Sequence, residues 1–215
     1  MDVLRRRDGR AVLDELIADM HANAARLSEL DGATGDGDHG VNMDKGFSRA
    51  GELLGPVQVG LCEGLTVLGQ TLLTEIGGAM GPLYGSFFLA MGEVGTAEEP
   101  ITGPTFARMI SAGHVAVVEM GGAIPGDKTL IDALAPADEA LAAAIAAGAS
   151  FADALRAMAE AAALGAESTK EMVARVGRAS RLGERSRGFI DAGAASSAVI
   201  LGSLARSIAA HISPE

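Results

Sequence analysis

The stretch Arg10-Ala-Val-Leu-Asp-Glu-Leu-Ile-Ala-Asp-Met-His-Ala-Asn-Ala-Ala-Arg-Leu-Ser-Glu-Leu30 decides the fold class. Its apolar residues recur at the spacing of three to four that places side chains on one stripe of an α-helix. These residues are Val12, Leu13, Leu16, Ile17, Met20, Ala24 and Leu27. The same spacing returns in segments 151–176 and 194–212. Strand-forming residues are scarce, because aromatic residues make up 3% of the chain and tryptophan is absent. The sequence therefore predicts an all-α protein.

Clusters of glycine, proline and aspartate divide the chain into about eight helices. We place them near residues 10–30, 38–54, 60–76, 81–94, 104–120, 131–147, 151–177 and 193–212. No linker or change of composition separates two domains. Residues 1–215 are therefore expected to form a single domain of antiparallel, up-and-down helices.

The loops between these predicted helices are of two kinds. The second, fourth and sixth loops are ordinary polar or glycine- and proline-containing connections, at Gly55 to Val59, Gly95 to Gly103 and Gly148 to Ser150. The first, third, fifth and seventh loops carry unusual residues, at Asp31 to Gly40, Gly77 to Pro82, Gly121 to Thr129 and Arg178 to Gly193. In an up-and-down arrangement these four loops emerge at the same end of the molecule. We therefore expect a functional site at that end.

The composition excludes several classes of protein. Seventeen Lys and Arg against 28 Asp and Glu give a formal net charge of −11, which disfavours general binding to nucleic acid or to an anionic membrane. The single cysteine, Cys62, excludes an internal disulfide and a cysteine-based zinc site. The apolar stretches Ile131 to Ala147 and Ala194 to Ala210 contain charged residues, so we expect core helices and no membrane span. No targeting segment is visible, and a cytoplasmic protein is expected.

The first unusual loop combines three carboxylates with glycines. Asp31, Asp36 and Asp38 lie within eight residues and would repel one another unless a cation lay between them. Such hard oxygen ligands suit Mg²⁺ or Ca²⁺. An EF-hand is excluded, because the twelfth residue of a loop that starts at Asp36 is Phe47 and is not acidic. The alternative is a glycine-rich turn in which Asp38 caps the next helix.

The third and fifth loops have features of anion sites. Glycines in Gly77 to Pro82 let backbone approach a ligand closely, and amides at a helix start attract phosphate. The alternative is a tight turn between packed helices. The loop Gly121 to Thr129 has some likeness to a Walker A motif, but Asp127 intrudes before Lys128 and no strand precedes it. Its cation and hydroxyl are suited to phosphate oxygens; the alternative is that Asp127 and Thr129 cap the sixth helix.

The seventh loop is locally basic in an acidic protein. Four arginines fall within residues 178–187, and arginine offers planar, bidentate donors to phosphate. The alternative is a solvated charged loop in which Glu184 pairs with one of them. Carboxylate-held metal, backbone amides and arginine together are the equipment of a Mg-nucleotide site.

These loops together resemble the L subunit of bacterial dihydroxyacetone kinase, which is the nucleotide-binding (DAK2) domain of that family. The stretches that carry the resemblance occur in family order and are Gly35-Asp-Gly-Asp-His-Gly-Val-Asn-Met43, Gly77-Gly-Ala-Met-Gly-Pro-Leu-Tyr-Gly85, Pro125-Gly-Asp-Lys-Thr129, Gly177-Arg-Ala-Ser180, Leu182-Gly-Glu-Arg-Ser186 and Asp191-Ala-Gly-Ala194. The resemblance implies an eight-helix antiparallel barrel with the nucleotide bound at one rim.

The resemblance also implies cofactors and their ligands. Asp31, Asp36 and Asp38 match the residues that bind two Mg²⁺ ions, which bridge the nucleotide phosphates. With the backbone at Gly78 included, the predicted contacts to ADP or ATP are His39, Gly40, Val41, Asn42, Gly78, Ala79, Met80, Gly121, Leu130, Arg178, Asp191, Ala192 and Gly193. The family commonly has Ser where Met80 stands and Pro where Ala192 stands, so a side-chain hydrogen bond is absent at the first of these positions.

The implied activity is phosphoryl transfer to dihydroxyacetone or a related ketose. In the family the ketose is held on a separate K subunit, and a phosphotransferase-system M subunit can recharge bound ADP; other members exchange free ATP. No general base, and hence no catalytic side chain, is expected within this chain. Because related L subunits bind a transcriptional activator, the alternative is a nucleotide-sensing regulatory protein without turnover. A third possibility, a helical scaffold with glycine-rich turns, predicts no Mg-dependent ADP binding.

Overall fold

A computed structural model describes residues 2–96 and 100–215. Within these residues the chain forms eight α-helices: α1 (Gly9–Thr34), α2 (His39–Leu54), α3 (Leu61–Glu75), α4 (Met80–Thr96), α5 (Gly103–Gly121), α6 (Ile131–Ala146), α7 (Phe151–Ser168) and α8 (Ala192–His211). Each helix packs against the next, and α8 returns to pack against α1. The helices therefore close into a ring, and the predicted all-α, up-and-down barrel is confirmed.

Local side chains mark where α7 and α8 begin. Ser150 precedes α7 and its hydroxyl accepts a hydrogen bond from the amide of Asp153 (3.1 Å). Asp191 does the same for α8, accepting from the amide of Ala194 (2.8 Å). These side chains satisfy amides that have no partner within their helix.

The core lies inside the ring, where the apolar stripes of the helices meet. Phe47, Phe87 and Phe88 are buried there, with ring centroids of neighbouring pairs 5.2 Å and 5.7 Å apart in edge-to-face packing. Of the helices in the described ranges, α8 alone is long and apolar enough to cross a membrane, with a mean hydropathy of 1.3. Because 67% of that segment is buried inside the protein, α8 is a core helix here, as its sequence predicts.

A small sheet, which the sequence analysis did not predict, lies at the end away from the unusual loops. Its strands are β1 (Asp2–Leu4), β2 (Ile101–Thr102) and β3 (Ser213–Pro214), in the antiparallel order β2-β1-β3. β2 and β3 adjoin α5 and α8, and β1 leads into α1 through residues 5–8, in each case at the helix end opposite to the unusual loops. The predicted fourth loop, 95–103, falls partly on residues 97–99, which lie outside the described residues.

Helix α7 is shorter than predicted. The apolar spacing predicted a helix over 151–177, but α7 ends at Ser168 and a 3₁₀ turn follows at Thr169–Glu171. Thr169 is fully buried; its hydroxyl donates to the carbonyl of Ala166 (2.6 Å) and accepts from the amide of Asp191 (2.9 Å). The bond from Asp191 is a tertiary contact that anchors the turn, so the apolar spacing at residues 172 and 176 does not extend the helix. A second 3₁₀ segment, Arg178–Ser186, occupies part of the seventh loop.

Candidate functional site

The four unusual loops enclose one cavity of about 880 Å³ at the same end of the barrel. Its wall includes Asp38 from the first loop, Gly78 from the third, Thr129 from the fifth and Arg178 from the seventh. The prediction that these loops meet is therefore confirmed. Cavities of this volume hold ligands of the size of a drug or cofactor.

Three carboxylates stand together at the edge of this cavity. One ligand oxygen from each of Asp31, Asp36 and Asp38 lies within 4.8 Å of the others. Asp31 is not in the loop but on the last turn of α1, which runs four residues further than predicted, to Thr34. Its Oδ2 accepts a hydrogen bond from the amide of Gly37 (2.8 Å), so the carboxylate also folds the loop back onto the helix. Gly37 has φ 79°, which suits glycine.

The donor set of this cluster fits a divalent cation of the Mg²⁺ or Ca²⁺ type. All its ligands are carboxylate oxygens, and the side chains of Asp36 and Asp38 are about half exposed, at 52% and 45%. Asp38 stands directly before α2, but its side chain makes no capping hydrogen bond. The alternative in which Asp38 serves as the helix cap therefore has no support in the geometry.

Arg178 supplies positive charge to the carboxylates. Its guanidinium forms an ion pair with Asp36 and lies 3.9 Å from Asp38. The arginine reaches this position from the start of the second 3₁₀ segment, directly after Gly177, whose φ is 71°. The side chain remains 57% exposed, so it is accessible to a ligand in the cavity.

The start of α4 contributes bare backbone to the wall. A Cβ atom placed on Gly77 or Gly78 would meet nothing within 4 Å, and Gly78 has φ 70°. Both glycines and Ala79 line the cavity. The amides of a first helical turn have no partner within the helix and attract anions.

The wall also has an apolar part. It is formed by Met80, Leu83, Val117, Met120, Leu130, Ile131 and Val176. A flat apolar ligand group such as a nucleobase would be removed from water there. The charged part of the same ligand would then face the backbone amides and a cation held by the carboxylates.

His39 lines the cavity and belongs to a buried hydrogen-bond network that extends behind the wall. Its Nε2 lies 2.8 Å from the hydroxyl of Ser196, which lies 2.6 Å from the hydroxyl of Tyr84. Tyr84 also donates to the carbonyl of Gly193 (3.0 Å). Burial lowers the pKa of His39 to about 4, partly opposed by Asp31, and burial raises the pKa of Tyr84 to about 12. His39 is therefore neutral near pH 7 and braces α2 against α8.

The fifth loop is organised by carboxylates of the loop itself and of the first turn of α6. The carboxylate of Asp132 accepts hydrogen bonds from the amides of Gly126 (2.5 Å) and Thr129 (2.8 Å). Asp127 accepts from the amide of Ile124 (3.0 Å). Lys128 is buried and donates to the backbone carbonyls of Thr169 and Phe189, and it does not line the cavity. Of the two interpretations left open for this loop, a structural role is the one that the contacts of Lys128 favour.

Asp191 places a carboxyl group at the start of α8, on the cavity wall. Burial raises its pKa to about 6, while the amide of Ala194 and the charge of Lys128 act in the opposite direction. The carboxyl group is thus partly protonated in mildly acidic solution.

Comparison with known proteins shows which family the chain belongs to. Residues 33–206 match the DAK2 domain family. The chain belongs to the DAK2 domain family. It is 41% identical over 173 residues to the ADP-binding subunit DhaL of the PEP-dependent dihydroxyacetone kinase of Escherichia coli (strain K12). The aligned region covers 79% of this chain and 81% of that protein. The chain is 40% identical over 188 residues to the corresponding subunit of the PTS-dependent kinase of Lactococcus lactis, which covers 87% and 90%.

DAK2 domains also occur within longer kinases. The chain is 38% identical over 180 residues to the D-erythrulose kinase of Mycolicibacterium smegmatis, covering 80% of this chain and 30% of that protein. Among solved structures, the dihydroxyacetone kinase of C. freundii superimposes with a TM-score of 0.72 at 28% identity, covering 93% of this chain. This chain spans about a third (34%) of that kinase chain. The same kinase has been solved in complex with AMP-PNP and Mg²⁺, with a TM-score of 0.69.

Most of the residues predicted to bind nucleotide or metal in this DAK2 domain line the cavity. They are Asp31, Asp38, His39, Asn42, Gly78, Ala79, Met80, Gly121, Leu130, Arg178, Asp191 and Ala192. Their geometry agrees with the prediction, and their individual roles stay predictions.

Four predicted site residues do not line the cavity. Asp36 belongs to the carboxylate cluster but not to the cavity lining. Gly40 packs against the backbone of α1, where a Cβ would collide with the carbonyl of Ala24. Val41 is 64% exposed, and Gly193 lies behind the wall, accepting the Tyr84 hydroxyl. For Gly40 the contact to α1 explains the glycine without any ligand.

Sequence reasoning missed the network partners of the DAK2 site. Tyr84 lies within a quoted motif and is the only tyrosine of the chain, and Ser196 interrupts an alanine-rich helix. A single tyrosine and a polar residue at apolar helical positions are signals of buried hydrogen bonding. Neither was singled out, because each alone is compatible with ordinary packing.

Proposed function

We propose that this DAK2 domain is the nucleotide-binding phosphotransferase subunit of a dihydroxyacetone or related ketose kinase. It binds ADP or ATP with Mg²⁺ and passes the phosphoryl group to a substrate held on a separate K subunit. The observation that carries the proposal is the cluster of Asp31, Asp36 and Asp38 at the edge of a cavity of about 880 Å³. A carboxylate-held cation beside backbone amides and an arginine matches the needs of a nucleotide's phosphates.

Two Mg²⁺ ions are proposed at the carboxylate cluster. Asp31, Asp36 and Asp38 would hold them, and the ions would offset the negative charge of the phosphates as the phosphoryl group transfers. The oxygen-only ligands and the half-exposed side chains of Asp36 and Asp38 support this assignment.

The remaining parts of the cavity would position the nucleotide. The glycines before α4 would let its phosphates approach the backbone, and the guanidinium of Arg178, which lines the cavity, would donate to a phosphate oxygen. The apolar wall around Leu83 and Leu130 would take the base. These contacts bind and orient; we assign no general base to this chain.

The names of the relatives support a proposal for the substrate and the partners. Those of Escherichia coli and Lactococcus lactis are named ADP-binding subunits of PEP- or PTS-dependent dihydroxyacetone kinases, and others are named erythrulose kinases. We propose a short-chain ketose as substrate, a K subunit as partner, and recharging of bound ADP by a phosphotransferase-system M subunit. A cytoplasmic location fits such partners. Binding to a transcriptional regulator is a further proposal.

The first test is to denature the purified protein and identify any released nucleotide. Calorimetry would then measure ADP binding with and without Mg²⁺, and phosphoryl transfer to dihydroxyacetone would be assayed with an added K subunit. We expect Mg-dependent ADP binding followed by transfer. Binding without transfer to any ketose would favour the nucleotide-sensing role, and absence of Mg-dependent binding would refute both.

A further inference from the structure

Lys128 is one of the most deeply buried charged side chains among the described residues. It is 2% exposed, and its ammonium donates to the carbonyl oxygens of Thr169 (2.6 Å), Phe189 (2.5 Å) and Met172 (3.4 Å). Burial lowers the pKa of this ammonium, and the charge of Asp191 is the main influence that opposes the shift. The free-energy cost of removing a lysine ammonium from water to this extent must be offset by such contacts.

The backbone of Lys128 supports a specific role for its side chain. Its φ is 63°, and among the described residues no other non-glycine residue has a positive φ. L-residues other than Asn and Asp seldom adopt this conformation, and glycine would adopt it without strain. A long side chain at this position is therefore retained at a conformational cost, which its contacts offset.

These contacts tie together both limbs of one segment. We call residues 169–191 the arginine loop, since it carries Arg178. Thr169 and Met172 belong to its incoming limb and Phe189 to its outgoing limb, so a single ammonium links the two. The amide of Arg175 donates to the carbonyl of Asp127 (3.1 Å), next to Lys128.

The arginine loop has little regular structure of its own. Its longest element is the 3₁₀ segment Arg178–Ser186, which is interrupted at Gly183 by a φ of 55°. The position of Arg178 therefore depends on how firmly the limbs of the loop are held.

We propose that Lys128 is a positioning residue: by donating to both limbs of the arginine loop, it holds Arg178 beside the carboxylate cluster and the cavity. This inference rests on the proposed nucleotide-binding function. It assigns to the lysine of the Pro125–Thr129 stretch a contact with protein backbone in place of a contact with phosphate.

The test compares Lys128→Met with a matched control, Lys170→Met. Lys170 lies in the arginine loop, but its ammonium makes only an exposed ion pair with Glu167 at 3.9 Å. Amide hydrogen exchange of residues 172–189 is measured in the nucleotide-free protein, and Mg-ADP affinity by calorimetry. We expect Lys128→Met to accelerate exchange in the loop and weaken Mg-ADP binding by about tenfold or more, and Lys170→Met to leave both unchanged.

A double-mutant cycle distinguishes positioning from general destabilisation. If Lys128 acts through Arg178, then in an Arg178→Ala background Lys128→Met should weaken binding by only about threefold or less. An undiminished loss in that background overturns the proposal. If Lys128→Met does not fold, Lys128→Gly replaces it, because glycine suits the positive φ; wild-type exchange and affinity in the glycine variant would overturn the proposal equally.

The two readouts separate this inference from the function on which it rests. Failure of wild-type protein to bind Mg-ADP refutes the proposed function. Unchanged exchange in the nucleotide-free Lys128→Met protein refutes the role of Lys128 whether or not nucleotide binds.

Discussion

Replacing Asp38 by asparagine should have little effect on the nucleotide-free protein and a large effect on its response to Mg-ADP. Two unit charges at 4.8 Å, the upper limit of the separations between these ligand oxygens, interact by about 0.9 kcal/mol in bulk water, the screened limit that suits a side chain that is 45% exposed. Asp38→Asn removes two such repulsions, from Asp31 and Asp36, and one attraction of about 1 kcal/mol to Arg178 at 3.9 Å. The net change in unfolding free energy is therefore below about 1 kcal/mol.

When Mg-ADP is bound, the charge of Asp38 should instead stabilise the native state. At a ligand concentration of 100 times Kd, binding stabilises the native state by about 2.7 kcal/mol. Loss of one metal-ligating charge should weaken binding by about a hundredfold, which reduces that increment to about 0.4 kcal/mol at the same concentration.

The assay is thermal or urea unfolding of both proteins with and without Mg-ADP. Asp44→Asn is a suitable control, because Asp44 lies on α2, the helix that Asp38 directly precedes, and contacts only exposed or local partners, His21 and Ser48. The control should retain the full increment. A wild-type increment in Asp38→Asn would refute the carboxylate assignment, and unfolding of Asp38→Asn without nucleotide would show that the charge serves the fold.

Three further predictions concern the surroundings of the cavity. Gly40→Ala forces a methyl group against the carbonyl of Ala24, so its melting temperature should fall by several degrees, equivalent to about 1–3 kcal/mol; an unchanged melting curve would contradict this close packing. Tyr84→Phe removes the hydroxyl 2.6 Å from Ser196 and should cost about 1–3 kcal/mol in urea unfolding, whereas a cost near zero would mean that the network carries no stability. The native pKa of Asp191, about 6, lies above its ordinary 3.8, so its ionisation opposes folding: this contribution is absent below about pH 4 and should remove up to about 3 kcal/mol as pH rises through 6. The difference in stability between wild type and Asp191→Asn, measured from pH 4 to 7.5, should show that slope, and a flat difference would refute the raised pKa.

The helices of the barrel could be predicted from the sequence because their apolar residues recur at a regular spacing. Helices of 15 to 26 residues repeat their apolar spacing many times, and glycine and proline mark their ends. The strands could not be found in this way: β2 and β3 have two residues each and offer no period to detect. They exist because Val3 pairs with Thr102 and Ser213, positions far apart in sequence.

The clustering of the three aspartates was predictable, because one chemical type recurs within eight residues of sequence. The site was not predictable where tertiary contacts decide the role of a residue. The sequence around Lys128 suggests a phosphate ligand. In the structure its ammonium donates to the carbonyls of Thr169 and Phe189, which lie 41 and 61 positions further along the chain. The end of α7 was misplaced for the same reason, since Thr169 is held by Asp191 from the next helix.

The pairing of β1 with β3 brings both ends of the described chain to the pole of the barrel remote from the cavity. The twenty residues of α8 set the distance between the two poles at about 30 Å. An affinity tag or fused protein on either terminus would therefore leave the cavity mouth uncovered. An artificial fusion that is meant to deliver a tethered substrate domain to that mouth would need a linker of about nine extended residues merely to travel the length of the barrel.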